Sequence, residues 1–231
     1  MKALDLFCGA GGASKGLADA GFDVVGVDIH SQPHYLYKFV QANALSPAIR
    51  RWLEEFDFIW ASPPCQRYSV MTKRWSRSDN HPDLIEPVRQ MLLKSGIPYC
   101  IENVVGAPLL NPVMLCGSMF VNQTKHGSQL RRHRLFECSF PVKQPKCRHN
   151  KGSVIGVYGG GQHPERRVPA TIGVWGHAGG SSKRDNLIQF GTQDRRDAMG
   201  IQWMTGNELS QAVPPSYSKY IAEQFILTSE T

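Results

Sequence analysis

The feature that most constrains the fold lies near the N-terminus: a strand, a glycine turn, a helix, a second strand and then an acid. Residues 2–7 form a mostly apolar run of strand length, ending at Phe7. Cys8-Gly9-Ala10-Gly11-Gly12 supplies the turn, residues 13–20 have helical spacing, and Gly21 closes that helix. Residues 22–29 read as the second strand, which ends in Val27-Asp28-Ile29. This order is the logic of a nucleotide-binding βαβ unit. Glycines let the backbone approach a ligand, and an acid at the end of the second strand accepts hydrogen bonds from ribose hydroxyls. The turn lacks the full G-x-G-x-x-G spacing, so a mononucleoside-like ligand is expected rather than a dinucleotide.

Residues 36–41 and 47–55 are expected to be helices, joined by a short connection that contains Asn43. Residues 56–61, Phe-Asp-Phe-Ile-Trp-Ala, form an apolar, β-rich run of strand length that leads into Ser62-Pro63-Pro64-Cys65-Gln66. Two prolines stop sheet pairing and stiffen the turn, which holds Cys65 on a rigid support at a strand end. Ligands and chemistry collect at the carboxyl ends of strands in open α/β sheets. A thiol there can be a nucleophile; read alone, it can equally be a small buried hydrophobe. The loop that follows, residues 66–80, is too long for a simple connector and holds Gln66, Arg67, Tyr68, Ser69, Lys73, Arg74, Trp75 and Arg77. Residues 82–95 read as a helix with Pro82 in its first turn and Gly96 beyond its end. Residues 99–104 are the next strand and carry Glu102. If that strand neighbours the one before Cys65, both side chains face one crevice; otherwise Glu102 is a solvent-facing strand terminus.

Residues 113–116 can be a further strand. Arg131-Arg132-His133-Arg134 then leads into Leu135-Phe136. Strand alternation would put Arg132 and Arg134 on one face, able to hold an anion or a base edge together, although such runs commonly mark a solvated edge. From residue 141 to 194 the character changes to glycine clusters and scattered Lys, Arg and His, including Arg166 and Arg167, which reads as a small irregular insertion. Its bases suit phosphate contact or an ordinary surface equally. Cys138, Cys147, His149 and His163 lack paired C-x-x-C knuckles, so no metal site is expected. The helical pattern resumes at Arg195, and residues 215–227 read as a closing amphipathic helix. The chain carries 26 Lys and Arg against 19 Asp and Glu, a net +7 that suits a polyanionic partner. Its cysteines are widely spaced, as in a reduced cytosolic protein.

Taken together, these stretches resemble the cytosine-C5 methyltransferase family. Asp5-Leu6-Phe7-Cys8-Gly9-Ala10-Gly11-Gly12 resembles its cofactor-binding motif and Asp28 its ribose-binding acid. Pro64-Cys65-Gln66 is similar to its nucleophile motif, Glu102-Asn103-Val104 to its second catalytic motif, Arg132-His133-Arg134 to its Arg-x-Arg, and Ala212-Val213-Pro214-Pro215 to its closing motif. The resemblance covers roughly residues 1–140 and 195–227. It implies a Rossmann-like α/β S-adenosylmethionine-dependent methyltransferase fold, with a catalytic domain of residues 1–140 and 195–231 and a short target-recognition-like insertion at 141–194.

By the same resemblance, Cys65, Glu102, Arg132 and Arg134 are the expected catalytic residues. S-adenosylmethionine is the implied cofactor, held by Phe7, Gly9, Gly11, Gly12, Asp28, Ile29, Asn43 and Pro64. Gln66, Arg67, Ser69, Arg74, Arg166 and Arg167 are the expected nucleic-acid contacts. Asn43 stands where the family usually has an Asp for the adenine amino group, and Ser210-Gln211 where it usually has Gly-Asn. The implied activity is methylation of a flipped-out cytosine in double-stranded DNA. RNA methylation and a non-enzymatic nucleic-acid-binding relic stay open as alternatives. A monomeric, cytoplasmic enzyme of a bacterium or phage-infected cell is expected, without membrane segments and with an associated restriction system as one setting.

Overall fold

The computed structural model describes residues 1–68, 82–120, 129–149, 154–155 and 191–229. The N-terminal reading holds closely: strand β1 (Lys2–Leu6), helix α1 (Gly12–Asp19) and strand β2 (Asp23–Asp28) follow in the expected order. Strand β3 (Lys38–Gln41) corrects the helix expected there. Its Phe39-Val40 core is too short to sustain a helix, and pairing in parallel with β2, Gly26 opposite Phe39 and Val27 opposite Val40, decides its conformation. Helix α2 (Pro47–Trp52) begins as expected, with Ser46 accepting from the Ile49 N–H as its cap, and a 3₁₀ turn (Leu53–Glu55) follows it.

Strand β4 (Phe58–Ala61) precedes the Pro-Pro-Cys turn, helix α3 (Ile85–Ser95) returns to the sheet, and strand β5 (Tyr99–Asn103) pairs in parallel with β4. Helix α3 starts three residues later than expected because the Asp83 carboxylate takes bonds from the Ile85 N–H and the Tyr68 hydroxyl, holding residues 82–84 outside it. Strands β6 (Val113–Leu115) and β8 (Arg134–Cys138) complete the sheet, with β8 antiparallel to both β5 and β6. The short pair β7 (Gln129–Leu130) and β9 (Val154–Ile155) is separate from it. Helices α4 (Thr192–Met199), α5 (Gly206–Gln211) and α6 (Pro215–Ser229) close the chain.

Among the described residues the main sheet has seven strands, in the order β3-β2-β1-β4-β5-β8-β6. The order reverses beside β1, so the carboxyl ends of β1, β2, β4 and β5 converge on one crevice. Strand β4 is buried on both faces, which is why it reads as a continuous apolar run. Ile59 and Ala61 join Leu4, Leu6, Ile85, Val88, Leu92 and Ile101 on one side. Phe58 and Trp60 join Leu17, Phe136, Tyr217, Ile221 and Phe225 on the other. A third cluster, Ala10, Leu130, Met199, Ile201, Met204 and Leu209, seats α4 and α5 over the glycine turn. No helix among the described residues is long and apolar enough to cross a membrane.

Helix α1 lies unusually close to α6. A Cβ on Gly16 would stand 2.0 Å from the Pro215 carbonyl oxygen, and one on Gly12 would stand 2.4 Å from that of Val213. Gly12, expected at the cofactor, is thus required by packing against the closing motif.

Candidate active site

The glycine turn leaves β1 through Phe7, whose φ is +61°, and continues through Gly9 (φ +49°) and Gly11 (φ +87°). A left-handed Phe7 is a rare backbone state, and it turns the chain sharply at the strand's carboxyl end. Asp28 ties this turn to β2: its Oδ2 accepts from the Gly9 N–H at 3.0 Å and its Oδ1 from the His30 N–H at 2.9 Å. Each oxygen keeps a lone pair for a ligand hydroxyl. A Cβ on Gly9 would meet nothing within 4 Å, so the turn borders open space. Ile29 stands beside it, 58% exposed, an apolar surface at the lip of the crevice. Asn43, past the end of β3, accepts from the Leu45 N–H at 2.9 Å and so shapes its own turn. Carboxylate lone pairs beside an open glycine turn and an apolar lip fit an adenosine-bearing cofactor such as S-adenosylmethionine.

Beneath the turn lies a trio that sequence reasoning missed. Ser14 Oγ donates to Asp5 Oδ2 at 2.5 Å and lies 2.8 Å from the Tyr35 hydroxyl. Asp5 is fully buried, and that burial pushes its carboxyl up to about 7. Trp203 was missed too: its indole N–H donates to the Ala10 carbonyl at 2.9 Å and pins the turn from above. Both depend on contacts between segments far apart in the chain, for which no local signal exists.

On the other side of the crevice, parallel pairing of β4 with β5 brings Cys65 and Glu102 to one edge. The Asn103 amide donates to the Pro63 carbonyl at 2.9 Å, bracing the Pro-Pro-Cys turn from the neighbouring strand. Arg134 Nε lies 2.9 Å from Glu102 Oε1, and both side chains are nearly buried. Arg132 and Arg134 are both buried while Arg131 and His133 beside and between them are not, and Arg132 is held by bonds to distant segments. It precedes β8, is 1% exposed, and sends its guanidinium to the Ser210 carbonyl at 2.8 Å, while the Tyr217 hydroxyl donates to its own carbonyl at 2.6 Å. Ser210, one of the two departures from the family pattern, therefore meets Arg132 through its backbone, which any residue could supply.

Burial pushes the Glu102 carboxyl above the usual range, against the pull of Arg134, Arg132 and a hydrogen bond from Ser62. Burial also pushes the Cys65 thiol up; Arg134 and Arg132 oppose it, and Glu102 adds to it. Cys65 thus shares one electrostatic environment with both arginines and the acid. A thiol, a carboxyl raised by burial and two guanidinium groups gathered at one strand end are the groups needed to add sulfur to an electron-poor ring and supply a proton to it.

Pro64 and Gln66 flank Cys65 at the crevice, with Gln66 exposed, and Arg67 approaches Asp83 at 3.9 Å. Ser69, Arg74, Arg166 and Arg167 lie outside the described residues, as does His163. Cys138 stands on β8, apart from Cys147 and His149. These two instead lie with Cys116 and His133, a grouping the sequence reading, which expected no metal site, did not foresee.

Residues 1–107 match the family described as C-5 cytosine-specific DNA methylase. The match covers 107 of the chain's 231 residues. The type II methyltransferase M.AgeI of Thalassovita gelatinovora is 28% identical to this chain over 167 residues, which are 64% of the present chain and 38% of the relative. The chain thus spans well under half the length of that curated relative. Among solved structures, a prophage-encoded Escherichia coli chain described as a DNA modification methyltransferase superposes with a TM-score of 0.62 at 15% identity, covering all of both chains. The Entamoeba histolytica methyltransferase EhMeth gives 0.57 at 13% identity, over 100% of this chain and 99% of the other. The S. pombe Dnmt2 methyltransferase gives 0.54 at 13% identity, over 99% of both. These likenesses establish the Rossmann-like α/β fold.

Proposed function

We propose that this protein transfers a methyl group from S-adenosylmethionine to carbon 5 of a cytosine flipped out of double-stranded DNA, with Cys65 as a covalent nucleophile. The observation that carries the reading is the buried pairing of Glu102 with Arg134 at the sheet edge where Cys65 emerges. S-adenosylmethionine, when bound, supplies an electrophilic methyl group. Phe7, Gly9, Gly11, Asp28, Ile29, Asn43 and Pro64 border the space that would hold it, and Gly12 lets α1 pack beneath.

Carbon 5 of cytosine is a weak nucleophile while the ring is aromatic. The Cys65 thiolate adds to carbon 6, and the Glu102 carboxyl gives its proton to N3, so the negative charge never accumulates on the ring. The raised Glu102 carboxyl suits that role, because its proton is present at higher pH than on an exposed acid. Arg134 offers its guanidinium to the base O2 and draws the thiol toward its thiolate; Arg132, locked to Ser210 and Tyr217, fixes the start of β8. Once carbon 5 carries the methyl group, its proton leaves to solvent, the carbon 6–sulfur bond cleaves to free Cys65 as thiolate, and N3 returns its proton to Glu102, which restores the aromatic ring.

The base is out of reach inside a stacked duplex, so the loop containing Gln66, Arg67, Ser69 and Arg74 is assigned to the distorted strand, and Arg166 and Arg167 to phosphates. Residues 141–194 serve as the target-recognition region beside the catalytic domain of 1–140 and 195–231. A monomer working in the cytoplasm beside a restriction nuclease is the setting that fits a relative of the type II class.

The test is tritium transfer from methyl-labelled S-adenosylmethionine to a panel of DNA duplexes and RNAs. Transfer to unmodified duplex DNA is expected, and its position gives the target sequence. Transfer confined to RNA would reassign the polymer, and none to either would overturn the reading.

A further inference from the structure

Cys116, His133, Cys147 and His149 come from separate parts of the sequence, yet their ligand atoms all lie within 4.8 Å of one another. Cys116 Sγ stands 3.3 Å from His149 Nε2, and Cys147 Sγ stands 3.6 Å from His133 Nε2. The two imidazoles are edge to face, with centroids 5.2 Å apart. Two thiolates at about 2.3 Å and two imidazoles at about 2.0–2.1 Å around a tetrahedral zinc ion put sulfur and nitrogen about 3.6 Å apart. The two sulfur–nitrogen distances match that edge. We propose that Cys116, His133, Cys147 and His149 form a structural zinc site.

The chemistry selects the ion. Two sulfur and two nitrogen donors at tetrahedral spacing suit zinc, and four protein ligands leave no open position for substrate, as in structural rather than catalytic sites. Hard cations such as magnesium and calcium prefer oxygen donors, which this set lacks. Cys116 is buried, while Cys147 and His149 are exposed, so the ion would sit at the protein surface with one anchor in the core. The Ser118 hydroxyl donates to Cys116 Sγ at 3.4 Å and accepts from the Arg148 N–H at 3.3 Å, a bridge between the two sides of the site.

The placement gives the ion a task. Cys116 directly follows β6, whose Leu115 pairs with Arg134. His133 lies between Arg132 and Arg134. Cys147 and His149 stand at the root of the 141–194 segment, just past the point where the Tyr220 hydroxyl holds the Lys143 carbonyl at 2.7 Å. One ion would therefore fasten the root of that segment to the strand that presents the arginines. The metal assignment rests on the ligand geometry and is independent of the methyl-transfer reading.

The experiment uses the full chain, reduced and purified without an affinity tag that binds metal. Elemental analysis should find about one zinc per chain, and cobalt(II) substitution should give the visible bands of a tetrahedral site with a thiolate-to-cobalt charge-transfer band. Cys147→Ser and His149→Ala, both at exposed positions, should each weaken zinc binding at least about tenfold in competition with a chromophoric chelator, while Cys138→Ser keeps it. A chain that neither carries zinc nor takes it up, a Cys116–Cys147 disulfide under reducing purification, or variants that bind zinc as the parent does would overturn the proposal. Should the variants lose their fold, the cobalt spectrum of the parent chain decides: with the charge-transfer band the site stands, without it the site falls.

Discussion

Strand β8 takes part in two buried glutamate–arginine pairs that differ in what stands beside them. Glu137 on β8 meets Arg89 of α3 in a two-pronged contact, Nε to Oε1 and Nη2 to Oε2, both at 2.8 Å. The same carboxylate accepts from the Leu110 N–H at 2.8 Å, and Arg89 also donates to the Pro108 carbonyl at 2.8 Å. Every strong direction around that pair is used. Glu102, opposite Phe136 on β8, lies 2.9 Å from Arg134 Nε and accepts from Ser62, and its burial lifts its carboxyl above the ordinary range. The first pair is a fastening between helix and sheet. The second stands beside Cys65, where its raised carboxyl and its arginine both act on the thiol. Burial and residue type are the same in both; the difference lies in the neighbouring thiol, which separates a structural ion pair from a reactive one.

Mutations at the two pairs should therefore fail in different ways. Glu102→Gln keeps the size and loses the proton, and should slow methyl transfer in single-turnover assays by about 10²–10⁴-fold with the fold intact. The activity of the parent chain should fall as pH rises through the raised Glu102 titration, and this limb should be absent from the variant. If the variant instead kept its rate and lost stability, the two pairs would be alike. Glu137→Ala should do the opposite. It strands a buried guanidinium and should cost about 3–5 kcal/mol in urea unfolding, with the rate per folded molecule nearly unchanged.

Asp5 tests the same distinction where no arginine is present. Its folded carboxyl titrates near 7 against 3.8 for an unperturbed one, so the unfolded chain loses its proton first as pH rises. Stability should accordingly fall between about pH 4 and 7, by on the order of 1 kcal/mol per pH unit, and be fully retained only below that window. Asp5→Asn should flatten this slope in thermal or urea unfolding measured across pH. Gly16→Ala has the smallest expected effect. It drives a methyl group against the Pro215 carbonyl and should cost about 1–3 kcal/mol without touching the pH dependence.

How much of this was legible in the sequence follows the range of the forces involved. The glycine turn, its flanking strands and Asp28 were readable because propensity and turn chemistry are local. Cys65 and Glu102 were readable as strand ends, whereas the parallel pairing of β4 with β5 that joins them stayed open, because no local pattern says which strands are neighbours. Strand β3 was misread because residues 36–41 have little pattern of their own and take their conformation from β2. Ser210 and Tyr217, the partners that hold Arg132, were not legible because they lie far along the chain. The fixing of Gly12 by Val213, the Trp203 bond to Ala10 and the Cys–His grouping all come from tertiary packing, for which spacing carries no signal.

The central claim is that Cys65 forms a bond to carbon 6 of the target cytosine. Duplex DNA with 5-fluorocytosine at the mapped target tests it directly, because fluorine on carbon 5 cannot leave as a proton does and the sulfur bond persists after methyl transfer. Incubation with S-adenosylmethionine should yield a denaturation-resistant protein–DNA complex, with the modified peptide containing Cys65, and none with Cys65→Ala. A complex that forms through another residue, or active methyl transfer with no trapped complex, would contradict the account.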